Sequence, residues 1–479
     1  MKYLIKLFYR CRNRYLIKVD FGLALHIQGM IEALATCGAE ARFLLEAMAC
    51  AVLQDSNEHT VYSGKVLAKQ LQLSETLVSA ALAELVSVGL VCRLSQVAGR
   101  GRPTISYLLA AGTIAALRAN QCPYGLHSQH LQRLFSGVAM VTERLGEPQE
   151  GRKERAALTR LGKPAPRGAR GQLSACNRLL LGVLLAHADR FGMVLGVGNV
   201  ALRRTTGLDP DSLRYRLQRL VALGLVRRWV PGLSSSVFSG GKISSTYYLN
   251  LNHSMFAVKS STAVMVHVTR DWDGKRIDHG EILRRDMQAH GSRHGETQSE
   301  TPGAVIRFLA GQKIEVFELL QHMLLRHASD LLSRHWLDLD RVHPIDAGWL
   351  LANIAAALRK PSALEEGQTN SELGAVVEHF CRLVFDIARE FKVRFDQVTW
   401  LGFEPGCLSI LPASANAGYQ VITLVLQPPP LGAPECMVLR EARHRVVEPQ
   451  TWETEAEMSL QNRQFCGLAS SPARRLVKG

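Results

Sequence analysis

None of the ten cysteines stands in a CxxC pair, and their scatter from Cys11 to Cys466 supplies neither zinc-ribbon spacing nor a disulfide framework. Buried free thiols in a reducing cytoplasm are the simplest expectation. No uninterrupted apolar run reaches the roughly 20 residues that a membrane helix needs, so no membrane partner is expected. Lys6, Arg10, Arg12, Arg14 and Lys18 interrupt every apolar stretch near the start, which makes a poor signal peptide. Catalytic signatures are missing too. There is no GxSxG and no HExxH. The nearest approach to a phosphate loop is Gly241-Lys242, with Ser236 where the first Gly should stand and Ile243 after the Lys. His290 and His294 are spaced i,i+4, with His267 and His279 upstream. Gly291 and Gly295 flank the pair, however, and no helix is predicted there. Asp271, Asp273 and Asp278 read as a solvated turn around Trp272. No metal, no cofactor and no enzymatic activity are expected.

What is abundant is positive charge. The 479 residues include 57 Lys and Arg against 42 Asp and Glu, a formal net charge of +15. Such an excess favours a polyanionic partner: DNA, RNA or an anionic surface. Hydrophobic residues make up 47% of the chain, and the mean hydropathy is +0.01. Most of it should therefore be globular, in roughly three domains of about 100–200 residues each.

The chain contains an internal repeat. LQLSETLVSAALAELVSVGLV ends at Val91, and TGLDPDSLRYRLQRLVALGLV ends at Val226. At the single offset that aligns Gly89 with Gly224, seven positions match in type. Leu73, Leu82, Leu85, Val86, Gly89, Leu90 and Val91 meet Leu208, Leu217, Leu220, Val221, Gly224, Leu225 and Val226. Leu67 meets Leu202, and Leu44 and Leu45 meet Leu179 and Leu180, without a gap.

Each copy predicts the same order of elements. In the first, Ala41 to Leu53 is an apolar helix. Ser63 caps a helix over Gly64 to Leu71, and Ser74 caps a third that runs to about Val88. Gly89 suits a left-handed C-terminal cap. Strands at Leu90 to Ser95 and Thr104 to Leu109 then flank a basic tip, Gly99 to Pro103. In the second copy the helices are Asn177 to Ala188, Gly198 to Thr206, and a third begun by Asp209 and Pro210 that ends at Leu223. Strands at Leu225 to Val230 and Ser244 to Leu251 flank a Ser/Gly-rich tip, Ser234 to Lys242.

Reading DNA sequence calls for a rod that fits the major groove and presents polar side chains to base edges. The third helix of the second copy has that character. Leu208, Leu213, Leu217, Leu220 and Val221 form its buried stripe, and Asp211, Ser212, Arg214, Tyr215, Gln218 and Arg219 lie opposite. Arg pairs with guanine and Gln with adenine in bidentate fashion. Arg203 and Arg204 on the preceding helix, and Lys242 at the tip, would meet phosphates. The first copy exposes Ser74, Glu75, Thr76, Ser79, Ala80, Ala83 and Glu84, with no cation among them. Its charge sits on Arg93, Arg100 and Arg102, and an RGRP-like tip suits a narrow minor groove.

Both copies resemble the winged helix-turn-helix domains of multiple-antibiotic-resistance-type and related bacterial regulators, over residues 41–110 and 176–251. The resemblance rests on helix, turn, helix, the ending L-V-x-x-G-L-V, and a hairpin. It implies contact with double-stranded DNA through the third helix and the wing. The expected fold is mainly α with small β-wings: two winged-helix domains plus an α/β, mostly helical, C-terminal region. The predicted boundaries are an N-terminal extension (1–40), winged-helix domain 1 (41–110), connecting helices (111–150) and a basic linker (151–173). Winged-helix domain 2 (174–252), a polar connector (253–303), the C-terminal domain (304–447) and a disordered tail (448–479) follow.

Three apolar stripes predict a homodimer through the C-terminal domain. They are Ile314, Phe317, Leu320, Leu324, Ala328 and Leu331; a helix capped by Asp346 and ended by Pro361; and Leu373, Val376, Val377, Phe380, Val384, Ile387 and Phe391. The expected function is sequence-specific DNA binding in the cytoplasm, at the nucleoid, in transcriptional regulation. The second copy would read bases and the first would clamp through its wing. A replication or partition initiator of a mobile element is the alternative. A DNA-targeted ligand sensor or enzyme, with a pocket near Trp400 to Cys407, is a third.

Overall fold

The computed structural model describes residues 25–54, 60–96, 103–119, 126–137, 173–256, 262–270, 278–291, 301–339, 348–358, 366–396, 407–412, 419–427, 434–442, 445–446 and 449–469. Helices dominate these residues, and the strands form one six-stranded sheet and several smaller ones.

After a short 3-10 turn, His26–Met30, α1 (Ala39–Gln54) is buried along most of its length, including Phe43, Leu44, Leu45 and Met48. Ser63 Oγ accepts from the Val66 N–H at 3.2 Å and starts α2 (Gly64–Leu71). Gln72, at φ 56°, makes the tight left-handed turn that ends it. Ser74 Oγ accepts from the Leu77 N–H at 3.3 Å and starts α3 (Glu75–Ser87). The antiparallel strands β1 (Val91–Gln96) and β2 (Thr104–Leu109) pair in register from Val91 opposite Leu109 to Gln96 opposite Thr104. Two helices, α4 (Ala111–Ala119) and α5 (Ser128–Phe135), complete this part.

The second copy follows the same course. It comprises α6 (Ala175–Ala186), β3 (Met193–Val194), α7 (Asn199–Thr206) and α8 (Pro210–Ala222). Asp209 Oδ1 accepts from the Asp211 and Ser212 N–H groups at 3.0 and 2.9 Å, and Pro210 occupies the first helical position. The ending shared by the repeats is one backbone motif made twice. Gly89 and Gly224 have φ 75° and 73°, and the N–H groups of Leu90 and Leu225 return to Leu85 O and Leu220 O at 3.0 and 3.1 Å. This is the Schellman turn, which supplies donors to the helix's last carbonyls and needs a residue without a Cβ penalty at positive φ.

The strands that follow are β4 (Val226–Val230), β5 (Leu233–Ser234), β6 (Lys242–Ile243) and β7 (Thr246–Leu249). The order β3-β7-β4 forms one sheet, and β5 pairs with β6 apart from it. The expected Ser/Gly-rich tip is not a free wing. Val237 and Phe238 are buried in the main hydrophobic core, and Ser235 Oγ donates to Gln312 Oε1 at 2.9 Å. Two consecutive apolar residues in a polar stretch are the reason: exposed in a free tip, they would forfeit their burial energy.

The remaining elements are β8 (Ala263–Arg270), α9 (His279–Gly291), α10 (Gly303–Leu309), α11 (Ile314–His335), α12 (Gly348–Ala357), α13 (Glu366–Asp396), β9 (Cys407–Leu411), β10 (Tyr419–Gln427), β11 (Cys436–Ala442), β12 (Arg445–Val446), β13 (Gln450–Trp452) and α14 (Leu460–Phe465). The sheet order is β12-β11-β8-β10-β9, with β13 also on β11. β8 runs parallel to β11 and antiparallel to β10. α11 packs on α13 and on β9.

Two expectations are corrected here, and a third loses its basis. Residues 253–303 are not only a connector, because β8 lies inside the sheet with Thr262 to Thr269 buried; a strand covered on both faces reads as a continuous apolar run. The stretch from 448 is not a disordered tail as far as 469. β13 and α14 are formed, and Met458, Cys466 and Leu468 are buried in the core despite the polar average of the segment. The stripes on α11 and α13 are consumed within the core, where Phe317, Leu320, Leu324, Phe380, Val384 and Ile387 are buried. The homodimer expected through them loses this support, although Ile314, at the start of the first stripe, stays exposed. Asp346 and Pro361 lie outside the described residues.

The contacts group differently from the expected boundaries. The smaller compact unit holds the described residues of Met1–Val138 together with Ser174–His187 and Leu202–Leu208. The larger unit holds Ala188–Ala201 and the described residues of Asp209–Gly479. The stretch expected as one domain at 174–252 is thus shared.

The larger unit buries several histidines as neutral rings. Burial pushes His253 and His267 down to about 4, and His322 and His327 down to about 3; nearby arginines add to the shift. Each folded value lies below the unfolded value of about 6.5, so the stability they contribute is complete above pH 6.5 and is lost as pH falls towards 4 and 3. Burial raises Asp189 to about 6 and raises Asp330 as well, and both act in the opposite sense as pH falls. Four histidines outweigh two carboxylates. The denaturation midpoint of this unit should fall between pH 7 and pH 5, with net proton uptake on unfolding; a rise in stability over that range would contradict this.

Candidate nucleic-acid interface

α8 is the element in which local sequence and exposure combine most clearly. Leu213, Leu217 and Leu220 are buried on one side. Asp211, Arg214, Tyr215 and Gln218 are exposed on the other, and Ser212, Arg216 and Arg219 are half-buried. Tyr215 keeps 67% of its surface exposed, unusual for an aromatic side chain on a regular helix. The Ser212 side chain and backbone N–H hold the Asp209 carboxyl below the usual carboxylate range, so the cap stays ionised at neutral pH. The result is a firmly started helix with two arginines, a tyrosine and a glutamine on its outer side.

Arg203 and Arg204 on α7 are both exposed, as is Lys242 at the start of β6. With its tip packed down, the second hairpin offers Lys242 but no free wing. In the first copy Ser74, Thr76 and Ser79 are exposed on α3, and Arg93 is exposed on β1. Glu84, exposed on α3 as expected, also ties down the start of α1, where its Oε2 accepts from the Gly38 N–H at 2.7 Å. Exposed cations on this copy that sequence reading passed over are Lys65 and Lys69 on α2. Their signal was present, since both lie opposite the buried Leu67, Ala68 and Leu71. Arg100 and Arg102 lie outside the described residues.

The remaining candidates separate in the same way. A helix does cover His279 and His290, contrary to expectation, but His294 lies outside the described residues. Asp271 and Asp273, and all of Trp400 to Gly406, also lie outside them. Among the described residues, His26, Glu46 and Cys50 cluster with ligand-type atoms within 4.8 Å of one another, all buried. Glu46 accepts from the His26 Nδ1 and the Ile27 N–H, each at 2.9 Å, and so clasps the His26–Met30 turn to α1. No helix among the described residues is long and apolar enough to cross a membrane.

No protein-family model matches the chain, and no curated protein matches it. The functional reading therefore rests on the surface itself.

Proposed function

We propose that the protein binds double-stranded DNA in a sequence-specific manner and acts in transcriptional regulation, with two winged helix-turn-helix units as its reading elements. The observation that carries this reading is the outer face of α8: Arg214, Tyr215 and Gln218 exposed in successive turns above a buried leucine stripe. Arg and Gln are the side chains whose donor and acceptor geometry matches guanine and adenine edges in the major groove. Arg203, Arg204 and Lys242 serve as phosphate contacts, which hold register without reading sequence. The net charge of +15 supplies the long-range attraction.

The two copies divide the labour. α8 reads bases. α3, with Ser74, Thr76 and Ser79 and no cation on its outer face, adds weaker discrimination, while Arg93 and the Arg100–Arg102 segment attach its hairpin to the backbone. Selection of bound duplexes from a random pool with the full chain tests the proposal. A defined motif should be enriched within a few rounds. Retention of the pool without enrichment would reduce the function to unspecific binding.

A further inference from the structure

The two repeat copies are tied together by a pair of buried arginines that do the same thing in opposite directions. Arg42, on α1 of the first copy, donates through Nη1 to Arg204 O and Thr205 O at 2.6 and 3.1 Å, in the last turn of α7 of the second copy. Arg178, on α6 of the second copy, donates through Nη1 to Leu71 O at 2.9 Å, the last residue of α2 of the first copy. Each arginine also holds the segment that precedes its own helix. Arg42 reaches Leu34 O and Cys37 O at 2.6 and 3.0 Å, and Arg178 reaches Leu134 O through Nε at 2.7 Å and again through Nη2. In each direction, a guanidinium on helix one of one copy therefore caps helix two of the other. Both side chains are buried, at 4% and 2% exposure.

The repeat equivalent of Arg42 is Asn177, so the reciprocity holds between helices: helix one of each copy meets helix two of the other, as a two-fold relation requires. A head-to-tail arrangement would use two different patches. A second observation places the axis. At the offset that aligns Gly89 with Gly224, Arg178 is the repeat equivalent of Phe43, and its Cζ lies 4.5 Å above the Phe43 ring. A residue that touches its own equivalent lies on a two-fold axis. Cys176 Sγ, which donates to Glu40 Oε1 at 2.8 Å, bridges the starts of the same two helices. All of these contacts lie within the smaller unit.

We infer that helices one and two of the tandem copies form an internal pseudo-dimer within the smaller unit, and that the partner is one duplex carrying two half-sites in opposite orientation, bound by a single chain. This rests on the DNA-binding reading above. α2 and α7 present cations at equivalent repeat positions, Lys69 and Arg204, both exposed, as two-fold-related phosphate contacts require. The half-sites are unequal, because the outer residues of the two third helices differ: Ser74, Thr76 and Ser79 against Arg214, Tyr215 and Gln218. An ordinary two-fold regulator needs two chains for this; here the axis runs through one.

The test varies the DNA, so no variant protein has to fold. The full chain is titrated against three duplexes derived from the selected sequence: unchanged, with the weaker half-site reversed in place, and with that half-site randomised. Sedimentation gives the mass of each complex. The expected result is one chain per unchanged duplex, and a loss of about tenfold or more on reversal, equal to the loss on randomisation. Two chains per duplex, or undiminished affinity for the reversed form, would overturn the inference and leave DNA binding intact. Failure to bind any duplex would overturn the DNA reading and the inference with it.

Discussion

Replacing Arg227 with Met should lower the unfolding free energy of the larger unit by about 3–5 kcal/mol. Arg227 lies on β4, and its guanidinium donates to the Glu455 carboxylate and, at 3.1 Å, to Asn250 Oδ1. Both charged side chains are almost fully buried, at 1% and 3% exposure. Removing the cation leaves the carboxylate in a low-dielectric interior where, among the described residues, the Asn250 amide at 3.2 Å remains as a side-chain donor. The loss is mostly this stranded charge rather than the strength of the pair. The double change Arg227→Met with Glu455→Met should therefore recover most of the stability. Chemical denaturation of the three variants reads both effects. A single substitution costing under about 1 kcal/mol would mean that water reaches the pair. The consequence for function follows from position: β4 is the strand that leads away from α8, so Glu455 fixes the exit of the proposed reading helix from a segment that looked like tail.

Replacing Arg214 and Gln218 together with Ala should erase most of the discrimination between the selected sequence and random duplex. Each bidentate side chain contributes about 1–3 kcal/mol of discrimination, so the pair accounts for roughly 30-fold to 10⁴-fold. Neither residue is buried, and α8 keeps its leucine stripe and its Asp209 cap, so the helix should remain folded. Affinity for random duplex should change far less, by the single lost charge of Arg214. The matching change at Arg203 and Arg204 should do the reverse, weakening all sequences alike and flattening the salt dependence by up to about two units. Equal losses on selected and random DNA for the α8 variant would remove α8 from the reading role.

Much of the local structure was legible because it rests on short-range chemistry. Ser63, Ser74 and Asp209 start helices where capping rules place them, and Gly89 and Gly224 end helices at positive φ. What escaped was decided by distant partners. The apolar pair Val237-Phe238 turns an apparent wing tip into core, and nothing within the Ser/Gly stretch reveals the surface that receives it. β8 was hidden by the polar residues after it, although Ala263 to Val266 is itself a continuous apolar run. Glu455 becomes structural through Arg227, which lies far away along the chain. The buried arginines have a signature in the sequence: Arg178 opens the wholly apolar run Leu179 to Leu185, where a cation needs several acceptors to be tolerated. Burial pushes its guanidinium down to about 10, so it remains a cation at neutral pH.

The central claim, that this chain binds duplex DNA through a basic surface, is tested most directly by titrating the full-length protein against a labelled random-sequence duplex across a salt series from about 50 to 200 mM. Binding should be saturable at the low end, and the logarithm of affinity should fall linearly with the logarithm of salt, by about 0.9 for each phosphate neutralised. A chain that leaves the duplex free at every salt concentration, or whose affinity does not depend on salt, would contradict the account.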